Sequence, residues 1–270
     1  MLESFIKIDG MVKRPYIAFL WAFILSIIAF FLTGVISYNI RINGTLLNLG
    51  GLISIILIIL PSAYLATNLI NNEELLEERL MVKKHKNKSL WKRHEKDMLI
   101  FLNFFFGATL AFAVSSFFLP HDFFQIQKTE IGRIIGVSSS ITGRAVAGLS
   151  FSDIFFNNFG VLVLSFIFSF LFGAGLVFIL TWNASLLGVR IAQLSGSIAD
   201  IPSKSLPFLP HGIFEIASFV LAGLSGGIIS FAILRERRKK TVFAKVLADS
   251  TLLFMLAVVC LAVGAFIEVL

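Results

Sequence analysis

Charge is scarce in this chain. Only 14% of its 270 residues are Asp, Glu, Lys or Arg, against about 25% in an ordinary soluble domain. Such a surface cannot keep a molecule of this size in water by itself. Cysteine is scarcer still: the single Cys260 lies inside the last apolar run, which excludes an internal disulfide and a thiolate metal cluster and leaves the thiol as a small core residue. There is no Walker A loop, no GxGxxG following a strand and no HExxH, so the common signatures of nucleotide binding and zinc hydrolysis are missing. Glycine is absent between Gly51 and Gly107, and the only proline there is Pro61. Nothing in that stretch forces a helix to stop.

What is present is apolar. Hydrophobic residues make up 57% of the chain, 30 of them Phe, and they come in blocks of about 20 residues, the length that crosses a bilayer core. The fold class expected is therefore all-α, a polytopic transmembrane helical bundle in the cell membrane with about six spanning helices. The net charge of +7 sits in the links between the apolar runs, as orientation in a membrane requires. It is not a nucleic-acid footprint, and the first partner implied is the lipid bilayer.

In chain order the expected spans are about 16–38, 46–70, 98–119, 153–182, 210–234 and 242–270. Lys7, Lys13 and Arg14 precede the first, which is too long for a signal-peptide core and lacks a small-residue cleavage site, so it reads as a retained helix. Tyr16, Trp21 and Tyr38 suit its two interfaces. Asn39 to Gly44 reads as a short polar link, Pro61 as a kink, and residues 123–152 as loop or interfacial structure. Ser152 or Asp153 is the N-cap expected for the fourth span. Residues 183–205 read as a broken or re-entrant segment, because the apolar part, 184–194, is too short to span and carries Arg190.

The charged stretch 71–97 opens with Glu73, Glu74, Glu77 and Glu78 and continues with Arg79, Lys83, Lys84 and further bases. The acid-then-base order favours continuation of the preceding helix. Lys86-Asn87-Lys88 suits a turn, and Ser89 suits the cap of a returning helix. This predicts a cytoplasmic helical hairpin between two N-terminal spans (1–70) and a membrane core (98–270). The N-terminus and the 71–97 loop are both placed in the cytoplasm. Six bases between Arg235 and Lys245 belong on the same side. Three spans after Asp97 would leave them on the other, so 183–205 is expected to add a crossing.

Polar residues inside the apolar runs mark where chemistry or tight packing is wanted. Leu206-Pro207-Phe208-Leu209-Pro210-His211-Gly212-Ile213-Phe214-Glu215 opens the fifth span. If the helix begins near Pro210, His211 and Glu215 share a face that Ser218, Ala222 and Gly226 continue. Asn157, Ser165, Ser169 and Gly173 form a second polar or small stripe, so the two helices are natural packing partners. His211 and Glu215 could relay protons or hold a metal. The structural alternative is a hydrogen-bonded lock onto Asn183 or Arg190, with an Arg190–Glu215 charge pair. A metal needs more ligands than this pair supplies, so none is expected. Gly223-Leu224-Ser225-Gly226 matches the GxSG of intramembrane serine proteases, but no His follows residue 211 to act as base.

Asn157-Asn158, then Asn183 with Leu186-Leu187-Gly188, then the Leu209-to-Glu215 stretch carry a family likeness. Over residues 98–270 they resemble the stage II sporulation protein M family of multi-pass membrane proteins. The resemblance makes Asn157, Asn158, Asn183, Gly188, Pro210, His211, Gly212, Glu215 and Gly226 the motif and packing residues. It implies a core of five crossings and a non-enzymatic role without a cofactor. Its sporulation members work with cell-wall-degrading partners at a septal membrane. Two function classes stay open: a membrane scaffold that recruits protein partners, with self-association open too, and a permease or the membrane subunit of an ABC-type exporter.

Overall fold

A computed structural model describes residues 8–35, 39–42, 45–82, 90–142, 150–173, 175–236 and 240–270. Its helices are α1 (Ile8–Lys13), α2 (Tyr16–Val35), α3 (Gly50–Val82), α4 (Leu90–Ser115), α5 (Gln125–Thr142), α6 (Phe151–Phe172), α7 (Gly175–Leu194), α8 (Ile201–Ser205), α9 (Leu209–Glu236) and α10 (Lys240–Val269). Single 3-10 turns, Ile198–Asp200 and Leu206–Phe208, flank α8. A two-stranded antiparallel hairpin, β1 (Asn39–Ile42) with β2 (Thr45–Asn48), joins α2 to α3. The expected all-α bundle is what forms. Seven helical segments among the described residues are long and apolar enough to cross a membrane.

The seventh comes from a correction. The spans expected at 153–182 and the re-entrant segment at 183–205 are instead two full helices, α6 and α7. The break is Gly173, whose φ of +69° is a backbone setting that L side chains rarely adopt. Its N–H still closes the last turn of α6 on the Ser169 carbonyl. Contacts give the direction of each helix. Asn158, near the start of α6, meets Glu215, near the start of α9, while the Gly173 carbonyl at the end of α6 lies beside Gly227. Helices α6 and α9 therefore run parallel. At the far end of α7, Ile191 clusters with Ala113 at the end of α4 and with Ile201 just ahead of α9. So α7 returns antiparallel to α6, as a complete crossing. Four helices, α4, α6, α7 and α9, now run between the end of α3 and the start of α10, and an even number leaves those two at one end of the bundle.

Other boundaries shift for local reasons. Residues 46–48 are strand rather than helix, paired antiparallel with Asn39, Ile40 and Arg41. Asn48 then ties the connections together. Its backbone N–H donates to Gln125 Oε1 at 2.9 Å and its side chain to Asp122 Oδ2 at 3.0 Å, while its own Oδ1 accepts from Gly50 N–H at 2.8 Å. Residues 125–142, expected as loop or interfacial structure, form α5. Outside the apolar spans, on α5, the Arg133 guanidinium bonds Glu130 and holds that carboxyl below its ordinary range. The cap of α6 is Ser150, two residues earlier than expected, in a reciprocal box with Asp153. Helix α3 carries Pro61 without interruption and runs on to Val82; α4 begins at Leu90. The turn expected at 86–88 and its Ser89 cap lie outside the described residues.

At the centre stands α9. Every residue from Ile216 to Ile228 is buried, the pattern of a helix surrounded on all sides. Its neighbours approach through small residues. A Cβ on Gly226 would collide with the Phe166 carbonyl oxygen of α6, and one on Gly223 would meet Leu176 Cβ of α7 at 2.9 Å. Hydroxyls bridge helices where the backbones come close: Ser165 Oγ donates to the Phe219 carbonyl at 2.8 Å, and Ser225 Oγ to the Ser250 carbonyl at 2.7 Å. Such bonds contribute about 0.6–2 kcal/mol each in a bilayer. Ser225, the serine of the GxSG match, is thus a buried strut between α9 and α10. The rim is apolar, with Phe31, Leu60, Phe156, Phe172, Met255 and Val259 exposed. Only a lipid environment makes such a rim inexpensive.

Candidate functional site

The mouth of α9 is assembled from three helices. The 3-10 turn Leu206–Phe208 leads into α9 with Pro210 in its first turn, where a missing N–H costs nothing. From there the 3.6-residue period puts His211 and Glu215 one above the other. Both are half-buried. Helix α6 supplies Asn158, whose Nδ2 donates to Glu215 Oε1 at 2.7 Å. Helix α10 arrives antiparallel and delivers Glu268. Gly264 makes this approach close: a Cβ there would stand 3.1 Å from Glu215 Cγ, 3.2 Å from the His211 carbonyl oxygen and 3.3 Å from Phe214 Cβ. As a result, one ligand atom each from His211, Glu215 and Glu268 lies within 4.8 Å of the others. The Phe208 ring stands edge-on to the imidazole at 6.4 Å. Inside the helix, Ser218 Oγ closes on the Glu215 carbonyl at 2.6 Å.

Two carboxylates and an imidazole at this spacing can share a proton or bind a cation. Neither carboxylate forms an ion pair with a lysine or arginine among the described residues.

Several expected site residues lie elsewhere. Arg190 is half-buried in α7 and makes no ion pair with Glu215, so the expected Arg190–Glu215 pair does not form. Asn183 Nδ2 bonds back to the Ile179 carbonyl at 2.8 Å within its own helix and does not lock the mouth. Asn157 is exposed; the polar stripe of α6 that faces α9 begins one residue later, at Asn158. Gly212 touches nothing that a Cβ would displace, so packing does not demand it. Gly188 and Gly226 are the packing glycines: a Cβ on Gly188 would reach the Thr109 carbonyl oxygen at 2.5 Å. Glu268 is the member that sequence reasoning passed over. The available signal is an ionisable residue in an otherwise apolar run, which is costly there and so marks function or pairing.

A family model described as SpoIIM, Stage II sporulation protein M, matches residues 98–270. The chain belongs to that family. The match spans Asn158, His211, Glu215 and Glu268, so the whole three-helix mouth lies within the stage II sporulation protein M region, whereas α2 and α3 precede it. An uncharacterised protein of Methanocaldococcus jannaschii is 28% identical over 123 residues, covering 44% of this chain and 69% of that protein. No solved structure matches. This member of the stage II sporulation protein M family is a polytopic membrane protein, as its apolar helices require.

Proposed function

We propose that this protein is a non-catalytic membrane scaffold that recruits protein partners to the cell membrane. The observation that carries this reading is the filled centre of the bundle. Helix α9 is buried without interruption from Ile216 to Ile228, and the helices around it interlock through glycines and hydroxyls. A centre filled in this way favours a packed support over a substrate path, since transporters hold substrate at discontinuous helices near the midplane. The proposed orientation puts the basic stretches 79–96 and 235–245 in the cytoplasm, with the N-terminus beside them and the C-terminus opposite. The charged end of α3, residues 71–82, then extends from the cytoplasmic end of the span, the place for a partner to dock.

Photo-crosslinking in native membranes tests this. Probes along 71–82 should trap a discrete partner that probes at the lipid-facing Phe31 and Val259 do not. Equal labelling at both places, or none, removes the scaffold reading. The permease reading rests on the ionisable mouth of α9. It requires flux in proteoliposomes of the purified protein that Glu215→Gln abolishes.

A further inference from the structure

We propose that His211, Glu215 and Glu268 form a binding site for one divalent transition-metal ion, Zn2+ being the best fit, at the end of the bundle where α9 begins and α10 ends. The inference goes beyond the scaffold reading and does not depend on it. Three observations support it. The donor set is one imidazole and two carboxylates, with one ligand atom of each within 4.8 Å of the others. These are the donors zinc accepts, and three protein ligands plus an open position is the pattern of a zinc site that keeps a water. Next, two carboxyl groups have been brought together with no lysine or arginine ion-paired to either among the described residues. That arrangement is unfavourable unless a proton or cation joins it. Last, the Glu215 carboxylate is held in place by a hydrogen bond from a third helix: Asn158 donates to Oε1 at 2.7 Å. A hydrogen bond of this kind, from a group outside the coordination shell, is what fixes a metal-binding carboxylate.

Donor atoms around a four-coordinate zinc stand about 3.4 Å apart, given bonds of about 2.0–2.2 Å. Binding would close the present spacing, and Glu268, exposed and one residue from the end of α10, is the ligand with the most room to move. Gly264 keeps the two backbones close at this end of the bundle. Magnesium and calcium fit less well, since they take six or more oxygens and disfavour imidazole. Metal would pin the C-terminal end of α10 to the start of α9. It would do so by a link that neither helix makes alone.

The test uses the full-length protein in detergent micelles, stripped with chelator and then given Zn2+, Mn2+, Mg2+ or Ca2+ separately. The expected result is one equivalent of tightly held zinc by elemental analysis after desalting, and a rise in melting temperature with Zn2+ but not with Mg2+ or Ca2+. Glu268→Gln and His211→Ala should each weaken zinc binding at least tenfold and remove that rise. Glu268 is exposed at a helix end, so its variant keeps the test decisive should His211→Ala fail to fold. Zinc uptake unchanged in Glu268→Gln, or no zinc retained by the wild-type protein, overturns the proposal. Flux through the bundle and partner crosslinking at 71–82 are separate readouts, so a failure here leaves the scaffold reading standing.

Discussion

Asn158 and Glu215 stand 57 residues apart in the chain, yet the Asn158 amide donates to the Glu215 carboxylate at 2.7 Å. That bond joins the start of α6 to the start of α9 and fixes their relative height. A typical intramolecular hydrogen bond contributes about 0.5–1.5 kcal/mol. Asn158→Ala should therefore lower the melting temperature in detergent by a few degrees. Asn158→Asp keeps the shape but adds a third carboxylate to the mouth, and should cost more than Asn158→Ala. A melt in which the aspartate variant matches wild type would mean that Glu215 is already neutral or otherwise compensated.

Two glycines of α9, one in its first turn and one at its buried centre, should behave oppositely. Gly226 sits against the Phe166 carbonyl of α6, whereas a Cβ on Gly212 would meet nothing within 4 Å. Gly226→Leu should separate α6 from α9 and destabilise by about 1–3 kcal/mol or more, the range for overpacked cores. Gly212→Ala should be neutral or slightly stabilising, because alanine is the better helix former by about 1 kcal/mol. Thermal melts of the two variants in one detergent, with size-exclusion profiles as a check on folding, make the comparison. Equal losses would mean that Gly212 meets a partner the isolated chain lacks.

The sequence made most of this fold readable, and its failures have physical causes. Helix α9 and the α6–α9 pairing follow from polar and small residues at helical spacing, a signal that survives in any apolar background. The α6–α7 reversal does not. Apart from Ser169, the residues around Gly173, from Phe168 to Phe178, are apolar or small on both sides, so no change in composition marks the turn; only a glycine at positive φ does. Length carried the missing information. The apolar residues from 153 to 194 are about twice the 20 that one crossing needs. Glu268 was hard to place because it is remote in sequence from His211 and Glu215. Its partnership depends on the antiparallel return of α10 and on Gly264. The face of α6 was misjudged by one residue, which is enough to exchange Asn157 for Asn158.

The crossing number makes a sidedness prediction. With seven spans, positions 86 and 239 share one side, and positions 128 and 204 lie on the other. Single cysteines at these sites, in a Cys260→Ala background, should divide accordingly in intact cells. Lys128→Cys and Lys204→Cys should react with an impermeant thiol reagent, and Lys86→Cys and Lys239→Cys should react only after permeabilisation. Surface labelling of position 239 together with protection of 86 would mean that α6 and α7 do not both cross. The reverse of the whole pattern would keep seven crossings and invert the orientation.

Helix α3 is 33 residues long, which at 1.5 Å per residue is about 50 Å. Its apolar window ends at Ile70, so the 12 residues from 71 to 82 add about 18 Å beyond what a bilayer core needs. That segment holds Glu73, Glu74, Glu77 and Glu78 ahead of Arg79, an order that complements the helix macrodipole toward its C-terminal end. Among the residues whose side chains are described, the buried contacts of α3 with the bundle come from Ile55, Ile58, Leu65, Ala66, Leu69 and Ile70, all ahead of this segment. Replacing residues 73–89, which end before α4 and the buried His94, with a short flexible linker should leave the melting temperature within a few degrees of wild type. In the same variant, crosslinking to a cytoplasmic partner should be lost. Hydrogen exchange supplies the complementary measurement. Amides of 71–82 should be protected in the purified protein, although less than those of α9, and should gain protection when the partner is added. A linker variant that unfolds, or a segment that exchanges at the rate of a free peptide with and without partner, would remove both the extended helix and its docking role.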